Sequence, residues 1–270
     1  MSPFIAREQA RNDIIEIGRR LYAKGLIAAN EGNISIRIGP NEVVATASGV
    51  HKGHLNSGQI VPVTLNGQPV EHTRPVSTEI DMHLAAYRAR PDVYAVVHAH
   101  PPVATAFAVA GVPLAQCVMP EVVVTLGGVP IAPYGTPGTR EVADGLTELY
   151  PLGNAFLLAN HGAVCLGSNV YAAFDLMETL EHFAQVLFHA RALGNVNVLT
   201  IDQVAALLDQ RQQAGVTSPV FPCDVCSHCP TPPTVALREN KDVSLGDSSL
   251  VHIASAIVQE TMKNVLSASG

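Results

Sequence analysis

Val96-Val97-His98-Ala99-His100-Pro101-Pro102 ends an apolar run with two imidazoles and a proline stop. Residues 93–100 read as a β-strand. Strand side chains alternate faces with period two, so His98 and His100 share a face with Cα atoms about 7 Å apart. Two neutral imidazoles on one face at a strand end can chelate one ion. They can equally be separate polar residues at a sheet edge, and the spacing alone leaves both readings open. A second segment repeats the design. Residues 155–159 read as an apolar strand, followed by Asn160-His161-Gly162, where the glycine permits a sharp turn. Three histidines would leave the fourth position of a zinc ion open for water or substrate, the arrangement of a catalytic site. His83, one helical turn after Glu79, reads as an ordinary surface or packing residue. His51, His54 and His72 fall in loops, and His182 and His189 on a long helix.

Outward from these strands, helix and strand signals are mixed. Apolar residues at helical spacing run through 5–24 and stop at Gly25. Ile34, Ile36 and Ile38 alternate with Ser35 and Arg37, the pattern of a half-buried strand. Gly39-Pro40-Asn41 turns that strand into another through Val43 and Val44. A helix capped by Ser77 or Thr78 runs to about Ala89. Residues 102–110, 141–149 and 170–193 read as helices, and 122–129 as a strand. The expected fold is α/β, with a mixed or antiparallel sheet and helices packed on it. Three segments are expected: a domain over 1–214, a Pro/Cys-rich linker over 215–249, and an amphipathic helix over 250–270.

Composition narrows the function classes. Of 270 residues, 47% are apolar and 14% charged, which suits a compact soluble globule. A net charge of −7 gives no counterion-release drive toward nucleic acid. No apolar run approaches the ~20 residues of a membrane helix. The N-terminal segment reads as an amphipathic helix rather than a signal peptide, so the cytoplasm is the expected location. Five cysteines, three of them within residues 223–229, do not make a secreted disulfide framework.

GNIS (32–35), ASG (47–49), STE (77–79), RPDVYAVVHAHPP (90–102), APYGTPGTRE (132–141) and LLANHGAV (157–164) follow one another in an order that resembles the class II aldolase/adducin-head family. The resemblance covers roughly residues 5–212. It implies a three-layer fold with a central, mainly antiparallel sheet flanked by helices. It implies one Zn²⁺ per subunit on His98, His100 and His161, and a fourfold-symmetric tetramer with the site at a subunit interface. It implies Glu79 as the catalytic base, able to take the open metal position before substrate arrives. Phosphate would be held by Asn33, Ser48, Gly49, Ser77 and Thr78. Where aldolases of the family carry a tyrosine acid, this chain has Glu121, a candidate second acid/base.

The implied reaction is retro-aldol cleavage of a ketose 1-phosphate, L-fuculose 1-phosphate or L-rhamnulose 1-phosphate, to dihydroxyacetone phosphate and L-lactaldehyde. Its chemistry suits the residues. Breaking a carbon–carbon bond beside a ketone leaves an enediolate, which needs a positive partner and a carboxylate to move a proton. Helix-opening Ser77 and Thr78, with Gly32-Asn33 and Ser48-Gly49, offer amides to an anion, although each alone is also an ordinary turn or cap. Within the same fold, a sugar-phosphate epimerase or a methylthioribulose-1-phosphate-type dehydratase remains open. So does a non-catalytic adducin-like binding head.

Cys223, Cys226 and Cys229 have metal-ligand spacing, or are free thiols of a spacer. Val251, Ala254, Val258, Met262 and Val265 make an apolar stripe on the last helix. That helix resembles the encapsulation peptides that dock enzymes on shell proteins in the lumen of bacterial microcompartments. Packing back on its own domain is the alternative.

Overall fold

The computed structural model describes residues 4–71 and 74–221. The Cys223–Cys229 cluster and the 250–270 helix lie outside the described residues.

Among the described residues, seven strands form one sheet: β1 (Asn33–Gly39), β2 (Glu42–Thr46), β3 (Ile60–Thr64), β4 (Ala95–Ala99), β5 (Ile131–Ala132), β6 (Ala155–Leu158) and β7 (Gly162–Gly167). Their spatial order is β3-β2-β1-β4-β7-β6-β5. All neighbours are antiparallel except β5 and β6. Among the described residues, seven α-helices accompany them: α1 (Arg7–Ala23), α2 (Ile80–Ala89), α3 (Pro102–Val109), α4 (Pro120–Thr125), α5 (Arg140–Leu146), α6 (Val170–Ala192) and α7 (Ile201–Gln213).

The sheet is buried on both faces. Ala95, Val97 and Ala99 pack with α1, α3 and α6, whereas Val96 packs with α2 and α5. This alternation sets the site, because His98 follows Val96 onto the α2 face. Ser35 is fully buried too, so β1 is not the half-buried strand its alternation suggests. Its serine side is covered by α2.

Much of the expected strand over 122–129 is helix α4 instead, followed only by isolated bridges of Gly127 to Phe221 and Val129 to Leu114. Pro120 opens that helix: it has no N–H for a strand ladder, and its φ suits a first helical turn. Val122 and Val123 are buried in the helical form. Strands β3, β5 and β7 and helix α7 carry no expectation above. Among the described residues, no helix is long and apolar enough to cross a membrane. Residues 216–221 lie against the domain: Arg211 donates to Val216 O at 3.0 Å, and Gly128 N donates to Phe221 O at 2.9 Å.

Candidate active site

His98 is fully buried in β4, between β1 and β7. Its Nδ1 donates to Ala163 O on β7 at 2.9 Å. A neutral imidazole that donates from Nδ1 presents a lone pair at Nε2. That Nε2 lies 3.1 Å from Nε2 of His100. Pro101 ends the strand, and His100 N donates to Leu26 O at 3.1 Å, which fixes its backbone. His161 sits in the tight turn from β6 to β7, after Asn160 at φ 58. Gly162 is required there by close approach. A Cβ on it would lie 2.6 Å from both Ala99 O and His100 Cδ2.

One ligand atom from each of His98, His100 and His161 falls within 4.8 Å of the others. Burial first, then the neighbouring His100 and His161, hold His98 well below the usual imidazole range. Burial also lowers His161, opposed by Glu79. His98 and His161 are both biased toward the neutral form that can bind a metal.

Glu79 completes the group. The expected cap by Ser77 or Thr78 is displaced by one residue: Glu79 itself holds the N-cap position of α2, with no side-chain capping bond. Its carboxylate turns toward the histidines instead. Oε1 is buried, has no hydrogen-bond partner and lies 3.2 Å from His161 Nε2. Oε2 accepts from Asn33 Nδ2 at 2.7 Å and lies 3.6 Å from His98 Nε2. One ring nitrogen from each of three histidines and an orphaned carboxylate oxygen make a donor set that suits a divalent cation. The residues fit a metal ion.

The same cavity, about 270 Å³, is lined by Asn33, Ser48, Gly49, Ser77, Thr78 and Glu79, together with His100 and His161. A strand-like crossing assembles its anion-binding side. Ala47 bridges Val76, Ser48 N donates to Pro75 O at 2.9 Å, and Ser77 N donates to Thr46 O at 3.2 Å. The sequence-distant Ser48-Gly49 and Ser77-Thr78 are thereby neighbours. Pro137, from the APYGTPGTRE segment, also lines the cavity. A larger groove of about 380 Å³ lies elsewhere. None of the expected site residues lines it. Its Arg90 and Arg211 are spent on Asp92 and on backbone carbonyls.

Two placements add to the sequence reading. Glu121 is exposed on the first turn of α4 and does not line this cavity. Asn33 bonds Glu79 through its nitrogen and His83 through its oxygen at 2.5 Å, so its amide faces the carboxylate.

Two further charged residues of the cavity escaped the sequence. Lys52 is buried and is the one Lys or Arg among the residues lining the cavity. Its Nζ donates to Asn30 O, and desolvation lowers its pKa against the pull of Glu79. Its position three residues after Ser48-Gly49 is the only signal that points to it. Glu31 lies 3.6 Å from His100 Nδ1 and lines the same cavity.

Residues 12–188 match the family described as Class II Aldolase and Adducin N-terminal domain. The chain belongs to this family. Among curated class II aldolase relatives, a 3-oxo-tetronate 4-phosphate decarboxylase of Pectobacterium atrosepticum is 33% identical over 208 residues, 75% of this chain and 94% of that protein. A 5-deoxy-D-ribulose 1-phosphate aldolase of Bacillus thuringiensis serovar kurstaki is also 33% identical, over 77% of this chain and 98% of that protein. The solved structure of an L-fuculose 1-phosphate aldolase superposes with a TM-score of 0.72 at 29% identity, covering 78% of this chain and all of that one. Both aldolases and decarboxylases of the family thus share this fold.

Proposed function

We propose that the protein is a zinc-dependent carbon–carbon lyase acting on a phosphorylated ketose. The reaction is retro-aldol cleavage of L-fuculose 1-phosphate or L-rhamnulose 1-phosphate to dihydroxyacetone phosphate and L-lactaldehyde. One observation carries this reading: a three-histidine cluster, a carboxylate oxygen without a partner and a cradle of small polar residues open into a single cavity.

His98, His100 and His161 would hold the ion, which when bound supplies a Lewis acid for the ketone and neighbouring hydroxyl. Ser48, Gly49, Ser77 and Thr78 take the phosphate, and Lys52 supplies the cation that this neutral cradle lacks. The C3–C4 bond breaks with its electron pair on C3. Glu79, having taken up a proton from solvent before cleavage, delivers it to C3 and is left as the carboxylate. The C4 hydroxyl must lose its own proton as the aldehyde forms. Glu121 is the candidate acceptor. It does not line its own cavity, so this role would place it in the cavity of a neighbouring subunit of the proposed homotetramer.

A second reading has its own support. Loss of CO2 from a 3-oxo acid 4-phosphate leaves the same enediolate and has no hydroxyl proton to remove. It would need no second acid/base, and Glu121 stands outside the cavity. The relatives include decarboxylases of this kind. Product analysis separates the two: lactaldehyde from the ketose 1-phosphates supports cleavage, and CO2 from 3-oxo-tetronate 4-phosphate supports decarboxylation. Residues 250–270 are proposed as a docking segment for a microcompartment shell protein. Their deletion should leave turnover intact and abolish co-purification with shells.

A further inference from the structure

Behind Glu79 runs a chain of buried polar side chains that the proposed chemistry does not touch. Tyr87 and His83 lie one turn apart on α2, against Ser35 of β1. Tyr87 OH is 2.8 Å from Ser35 Oγ, which is 2.7 Å from His83 Nδ1. His83 Nε2 is 2.5 Å from Asn33 Oδ1, and Asn33 Nδ2 donates to Glu79 Oε2 at 2.7 Å.

The direction of each bond follows from chemistry. A carboxylate only accepts, so the amide nitrogen of Asn33 faces Glu79 and its oxygen faces His83. That oxygen also only accepts, so His83 carries its hydrogen on Nε2. Burial pushes His83 down to about 3, so the ring is neutral and Nδ1 is an acceptor. Ser35 therefore donates to Nδ1, and Tyr87 donates to Ser35. Every donor points toward Glu79.

We propose that His83 is the positioning residue of the proton shuttle: through Asn33 it holds Oε2 of Glu79 and leaves Oε1 as the oxygen that carries the proton. This rests on reading Glu79 as the acid/base. Ser35, His83 and Tyr87 touch no substrate. They belong to a helix and a strand packed together, and such elements hold geometry better than loops do. Without the His83 donor, the Asn33 amide is free to rotate and Glu79 loses its fixed oxygen. A misplacement of about 1 Å at a reacting group costs on the order of a hundredfold in rate.

The test uses full-length, zinc-loaded protein and dihydroxyacetone phosphate in D2O, with NMR following deuterium incorporation at the hydroxymethyl carbon. That exchange reads proton transfer alone, without carbon–carbon cleavage. His83→Leu should slow it by about ten- to a hundredfold, with bound metal and the inhibition constant of inorganic phosphate unchanged. His83→Gln returns an N–H to Asn33 and should recover most of the rate. Ser35→Ala removes one oxygen without adding bulk and should fall between, which keeps the test informative if His83→Leu does not fold. Wild-type exchange in both His83→Leu and Ser35→Ala would overturn the positioning role. So would a loss shared equally by phosphate binding, or no recovery in His83→Gln. Absence of exchange in the wild type would sink the Glu79 reading itself, and this proposal with it.

Discussion

Lys52 shows what a single residue does in this cavity. The proposed phosphate cradle is built from neutral groups, and a phosphate brought into a cavity needs charge to offset lost hydration. A charge-assisted hydrogen bond contributes about 1.5–3 kcal/mol, or roughly ten- to a hundredfold in affinity. Lys52→Met should therefore raise KM for a phosphorylated substrate by that factor while kcat falls less, in steady-state kinetics. His83 gives a pH signature. Its folded pKa, about 3, is below the unfolded value of 6.5. Between these values the unfolded chain binds the extra proton, so the folded state loses stability as pH falls through that window. Denaturant unfolding should show a steeper loss between pH 6.5 and 3 in wild type than in His83→Gln. Neither residue was legible beforehand. Lys52 lies outside any motif, and His83 gains its meaning from Ser35 and Asn33, which only the sheet brings to α2.

At the scale of elements, local periodicity carried the reading where it was strong. The HxH pair was legible because strand alternation is a local rule, and the structure keeps both rings on the α2 face. The turn at Asn160–Gly162 was legible from its glycine. Residues 122–129 were misread because a β-branched run imitates a strand, and the helix that replaces it is set by Pro120 and by packing of Val123 against Val204 of α7. The start of α3 shows an element fixed from a distance. Glu181 of α6 is buried and accepts from Val103 N at 3.1 Å and Ala104 N at 2.8 Å. This pins the helix that directly follows His100-Pro101. Glu181→Ala leaves two amides without partners, and buried unsatisfied groups cost about 1–3 kcal/mol each. Chemical denaturation should show a loss of about 2 kcal/mol or more.

At the scale of the whole molecule, the fold divides the proposed acid/base pair. Glu79 faces its own cavity and Glu121 faces outward from α4. If neighbouring subunits share a site, Glu79→Gln and Glu121→Gln proteins are each inactive alone. Mixed after dissociation and reassembly, they should regain activity, because some sites then combine one intact residue from each. No recovery in verified mixed assemblies would remove Glu121 from the chemistry and favour decarboxylation. The central claim is that the three histidines and Glu79 make one carbon–carbon lyase site. Its most direct test is release of dihydroxyacetone phosphate from L-fuculose 1-phosphate and L-rhamnulose 1-phosphate by the zinc-loaded protein. Release from one of them, lost on chelation, restored by zinc and absent in Glu79→Gln, is the expected result. Release that persists after chelation and in Glu79→Gln would contradict it.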